Sequence, residues 1–138
     1  MTYQSVVNLI RNTAVSVNPN GNFMHGRRAD SSLEYSGKLP LIHLSTIRTS
    51  VTDRVEGNYS SEIFLFFWQQ DTPQTSNVER EAIISAMFTL SEAFMDTLLE
   101  TGSVSITGEK KTPEYRQLSG TMSGYGVTFN LLTKKVCP

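Results

Sequence analysis

Cysteine is almost absent from this 138-residue chain: Cys137, next to the last residue, is the single one. One cysteine makes neither an internal disulfide nor a multi-cysteine zinc site. We read it as a free thiol, which suits a reducing compartment. A charge excess is missing as well, with 12 basic against 13 acidic residues. A protein that grips duplex DNA or an anionic membrane carries a basic surplus, so neither affinity is expected. Long apolar runs are also missing. The longest, Ile63 to Trp68, is far shorter than the roughly 20 residues of a membrane span. No basic-then-apolar leader opens the chain, and a cytoplasmic site of synthesis is the expectation.

Catalytic signatures are scarce too. The stretch GSVSITGEKKT, Gly102 to Thr112, resembles a phosphate-cradling loop at first sight. That loop needs lysine directly after its second glycine, and Glu109 stands there instead. It must also lead from a strand into a helix, whose N-terminal N–H groups meet the phosphate. Here Gly102 closes a helical pattern and an alternating strand pattern follows. A helix stop, a strand and a solvated hairpin turn over Glu109 to Glu114 explain the stretch better. His25 and His43 have no second ligand at metal spacing. Cys137 sits too near a chain end to be held for catalysis. No Gly-x-Ser-x-Gly elbow occurs. We therefore expect no enzyme, and no catalytic, cofactor-binding or metal-binding residues.

What is present is a well-patterned single domain over residues 1–138. Tyr3, Val6, Val7, Ile10 and Ala14 share one face of a helix over about 2–17. The turn residues from Asn18 to Asn22 stop it. Phe23 to Gly26 reads as a short strand, and Arg27 to Lys38 as a long polar loop. LPLIHL at 39–44 is a strand with proline at its start, where a missing N–H is tolerated. Ile47, Val51 and Val55 continue an extended pattern, and Gly57-Asn58 is a turn. Ser60 to Gln70 is a strand with two apolar faces: Ile63, Leu65 and Phe67 on one, Phe64, Phe66 and Trp68 on the other. Such a strand needs cover on both sides.

Ser76 and Glu79 form a capping box that opens a long helix over about 77–101, and Gly102 ends it. Its apolar stripe reads Ile83, Ile84, Met87, Phe88, Phe94, Met95, Leu98 and Leu99. Glu81, Ser85, Glu92, Asp96 and Glu100 make the outer face. After Ser103 to Thr107, a long extended stretch runs from Tyr115 to Thr133. In it Tyr125, Val127, Phe129 and Leu131 share a face, and Gly120, Gly124 and Gly126 signal a bulge or a close backbone approach. Helices do not alternate with strands. The fold class is therefore α+β: a curved antiparallel sheet of about four to five strands with two helices packed on one face. Two helices on one face leave the second apolar face of Ser60 to Gln70 to be covered by curling of the sheet, against Tyr125, Phe129 and the first helix, or by a neighbouring chain.

The basic pairs Arg27-Arg28, Lys110-Lys111 and Lys134-Lys135 lie at turns and a strand end, while the long helix is acidic outside. Such an arrangement favours head-to-tail contact, with the loops of one subunit against Glu92 and Asp96 of the next. Arg27, Arg28, Glu92, Asp96, Lys110 and Lys111 are the candidate subunit or ring interface.

The segments FMHGRR, LPLIHL, EIFLFFWQQD, NVEREAIISAMFTLSEAFMDTLL and GTMSGYGVTFNLL stand in a suggestive order. In that order and pattern the chain resembles the tail-terminator, neck and head–tail completion proteins of tailed bacteriophages. The resemblance covers nearly the whole chain; LPLIHL, FFWQQD and SGYGVTFNLL are its most specific parts. It implies a non-enzymatic virion protein, present in the host cytoplasm before assembly. Copies would form a six- or twelvefold ring around the DNA channel, next to portal, connector and tail proteins. A near-neutral chain suits a lumen through which DNA must slide without sequence-specific binding. The Arg27–Lys38 loop and the Lys110-Lys111 segment are the parts expected to reach a neighbouring ring. The alternative is a small cytoplasmic ligand-binding or protein-adaptor domain, with His25, His43 and the tyrosines in a pocket or an edge strand as the docking site.

Overall fold

A computed structural model describes residues 3–26, 39–71, 74–102, 104–116 and 122–134. The chain runs α1 (Tyr3–Val17), β1 (Asn22–His25), β2 (Leu41–Asp53), β3 (Asn58–Gln70), α2 (Asn77–Glu100), β4 (Ser105–Arg116) and β5 (Met122–Lys134). The strands form one sheet in the order β1-β2-β3-β5-β4. The α+β class with helices on a sheet holds. The sheet is mixed rather than wholly antiparallel, because β1 runs parallel to β2. The turn at Asn18 to Gly21 makes this possible: Asn18 and Asn22 both donate to the Pro40 carbonyl, laying β1 beside the start of β2.

Both helices pack on the same face. Val6, Ile10 and Ala14 of α1 and Met87, Phe94, Met95 and Leu98 of α2 meet Ile42, Leu44, Ile63, Leu65, Phe67, Val127, Phe129 and Leu131 of the sheet. These sheet residues are cross-strand neighbours by register, so alternation alone puts them together. Phe94 meets Phe67 edge-on, with centroids 5.7 Å apart. Burying an aromatic side chain fully is worth about 1.5–3 kcal/mol, so this pair anchors α2. By length and average composition α2 could cross a bilayer. Here Ile84, Met87, Phe94, Met95 and Leu98 are buried, and Glu81, Glu92, Asp96 and Glu100 are exposed. As the capping box predicts, Ser76 Oγ accepts from the Glu79 amide at 3.1 Å. Gly102 follows the last turn with φ +68°, where a side chain would be strained.

The structure corrects several expectations. Lys110 and Lys111 do not sit in a hairpin turn. Glu109 to Glu114 belongs to β4, and Lys110 and Lys111 pair with Thr128 and Val127. The ladder breaks between Thr107 and Lys110, where Gly108 adopts φ +66°, so the turn signal is a bulge in an edge strand. Tyr115 lies near the end of β4 rather than starting the last strand. The close approach expected among the glycines is at Gly124: a Cβ there would lie 1.7 Å from the Phe67 carbonyl oxygen. The β3–β5 register is unbroken, and Gly120 lies outside the described residues. On α2, Phe88 and Leu99 are exposed rather than core.

The two-faced strand resolves unevenly. Ile63, Leu65 and Phe67 lie under the helices. On the opposite face Trp68 is buried with Leu41 and Met122, and Met24, Leu39 and Phe66 pack against them. Phe66 stacks on Trp68 at 5.2 Å and 3°. Phe64 and Phe66 stay half-buried. Tyr125, Phe129 and α1 are on the helix side and cannot cover this face.

Candidate interaction surface

Each expected interface residue now has a place. Lys111 pairs with Val127 in register, and on the helix-facing side of β4 it reaches α2. Its Nζ donates to Ser91 Oγ at 2.9 Å and to the Glu92 carboxylate, and stands 4.8 Å from the Phe88 ring centroid. Glu109 is 3.8 Å away. Ser91, itself buried, donates its own hydrogen bond to the Phe88 carbonyl at 2.6 Å. Lys111 and Glu92, expected to meet across two subunits, therefore meet within one chain, as a staple between edge strand and helix. Lys110 faces the other side and is exposed, beside Phe64, Phe66 and Glu114. Asp96 is exposed on α2. Arg27 and Arg28, the loop to Lys38, Lys135 and Cys137 lie outside the described residues.

The histidines do not share a site. Register puts His43 opposite Met24 and Phe66 on the outer face, and His25 opposite Leu44 on the helix face. His43 is fully buried and its Nε2 donates to the Gly26 carbonyl at 2.6 Å. His25 lies 3.4 Å from the Tyr3 hydroxyl. Partial burial, and then the positive field of Arg11, lower its pKa from the usual histidine value. Among the described residues no three His, Cys, Asp or Glu side chains converge.

A buried polar knot joins the end of β3 to the starts of α2 and β5. The Asp71 carboxylate accepts from Arg80 Nε at 2.7 Å, from Arg80 Nη2 at 3.2 Å and from Ser123 Oγ at 2.6 Å. Those hydrogen bonds, Arg80's foremost, outweigh burial and hold Asp71 well below the usual carboxylate range. Arg80 is raised in turn, chiefly by the same bond. The knot is buried and ties three elements together, so it positions structure.

Exposed apolar side chains stand at both ends of the sheet, besides Tyr3 and Val15 on α1, Leu99 on α2 and Leu132 on β5. At one end the β2–β3 hairpin carries Val51 and Val55, the latter 95% exposed at the tip between Arg54 and Glu56. At the other end α2 presents Val78, Glu81, Ser85 and Phe88 along one face, at helical spacing. Tyr115 and Tyr125 from β4 and β5 stand beside them. Phe88 meets Tyr125 edge-on at 5.2 Å. Glu81, Ile84, Ser85, Phe88, Tyr115 and Tyr125 line an open groove of about 310 Å³. Sequence reading missed this groove because Phe88 reads as core, and because only the β4–β5 register brings Tyr115 near Tyr125. A stripe of eight apolar residues on α2 was the available signal, being wider than one sheet-facing stripe needs.

No protein-family model matches the sequence, and no curated protein matches it.

Proposed function

We propose that the chain is a structural subunit that assembles into a closed ring, of the kind found at the head–tail interface of tailed bacteriophages. One observation supports the self-assembly: exposed apolar side chains are present at both ends of the sheet, Val51 and Val55 at one and Val78, Phe88 and Tyr115 at the other. Two separate sticky ends on one subunit favour head-to-tail contact, which closes into a ring when the rotation allows. The phage setting rests on the resemblance in element order described above.

The sheet edges favour this reading over an adaptor that adds a strand. β1 is four residues long. β4 carries a bulge, Pro113 and Lys110, devices that discourage strand addition. The ligand-pocket alternative loses its expected centre, since His25 and His43 sit on opposite faces of the sheet and neither lines the groove.

Electron microscopy of the concentrated protein, with antibody labelling of phage particles, tests the proposal. Annular particles and a label at the head–tail junction are expected. Monomers at every concentration together with unlabelled particles would contradict it.

A further inference from the structure

The hairpin tip holds a hydrophobic side chain in water. Most large apolar side chains on a surface are partly shielded, yet Val55 is 95% exposed. Arg54 and Glu56 on either side of it are both exposed, and Glu56 has a further interaction within its own chain. The tip thus offers an apolar knob with a cation next to it.

The groove at the far end has the matching chemistry. Phe88, Tyr115 and Tyr125 supply apolar ring surface for a valine side chain, and Glu81 supplies a carboxylate at the rim for a guanidinium. No basic residue of α2 competes there: its one cation, Arg80, is committed to Asp71. Lys111 of β4 stands 4.8 Å from the Phe88 ring centroid and already supplies a cation there, so an incoming tip meets the rings with its apolar side chain.

The two surfaces cannot meet within one molecule. The tip lies at the Asn58 end of β3, whereas Tyr125 pairs with Phe67 near the other end, about 30 Å along the strand. Being separate, they do not compete, and one contact can repeat from copy to copy.

We propose that the Arg54–Val55 tip of one copy docks into the Phe88–Tyr115–Tyr125 groove of the next, with Val55 against the rings and Arg54 at Glu81. This rests on the ring reading above and names the contact that would build the ring. A four-residue tip buries much less than the roughly 800 Å² per partner of a standard interface. The contact is therefore weak as a pair and gains strength from closure, where each further contact is intramolecular.

Cross-linking tests it. Val55→Cys and Ser85→Cys are combined in a full-length chain with Cys137→Ser, and the protein is oxidised at high concentration. A ladder of disulfide-linked multimers is expected, from two surface positions whose substitution leaves the fold intact. In the same background Arg54→Glu or Glu81→Arg should each cut the ladder at least tenfold, and the two reversals together should restore it. Rings without a ladder would overturn this contact while leaving the ring reading standing. Absence of both rings and ladder would remove both. Binding of tetramethylammonium to the groove with no ladder would overturn the self-docking proposal in favour of a small cationic ligand.

Discussion

The Ser123 hydroxyl donates to the Asp71 carboxylate at 2.6 Å, joining residues 52 positions apart. With Arg80 on the same carboxylate, three elements are fixed at one end of the sheet. Folding lowers the Asp71 pKa, because these bonds favour the charged form. Its stabilisation is therefore complete above the ordinary carboxylate pKa of about 4. Below that pH the unfolded chain takes up the proton first, and the stabilisation declines. Asp71→Asn should cost about 2–3 kcal/mol at neutral pH. Urea unfolding across pH should show wild type and variant converging as the pH falls below about 4. A gap that widens in acid would contradict this assignment.

Lys111 and its neighbour Lys110 differ only by the face of β4 they occupy. Lys111→Ala removes the bonds to Ser91 and Glu92 and the contact with Phe88. We expect a loss of about 1–2 kcal/mol and faster amide exchange in β4. Lys110→Ala should stay within about 0.5 kcal/mol. Equal effects would mean that β4 is not held by this staple.

Phe88 and Phe94 both read as core residues from helical spacing. Phe94 is fully buried and Phe88 is 40% exposed. Phe94→Ala should cost about 3–5 kcal/mol. Phe88→Ala should cost about 1 kcal/mol, the worth of an exposed edge contact. Denaturant midpoints of the two variants separate them, and equal losses would place Phe88 in the core.

At Gly124 an added Cβ runs into backbone, which cannot move aside as a flexible side chain can. Gly124→Ala should cost about 3 kcal/mol or leave little folded protein. At Gly126 the nearest atom is 3.2 Å away, on the Phe66 ring. Gly126→Ala should cost about 1 kcal/mol. Thermal unfolding of the pair checks the order.

Both helices, the capping box and the long strand β3 were legible because each rests on local periodicity or a cap. The extent of β4 was not. Glycine, lysines and Pro113 read as a turn, yet the same residues are what a protected edge strand requires. The parallel pairing of β1 was hidden because it depends on Asn18 and Asn22 both reaching Pro40. Of the interface candidates, Lys111 and Glu92 pair within one chain, which charge pattern alone does not distinguish from a contact between subunits. The tip and groove were illegible for a related reason: Val55 is an ordinary strand residue until the hairpin turn falls on it.

Native mass spectrometry of the concentrated full-length chain tests the central claim most directly. Our account predicts closed multimers of one defined copy number, which dissociate when Arg54 or Glu81 is reversed. A monomer at all concentrations that takes up a small organic cation in the Phe88 groove would contradict it.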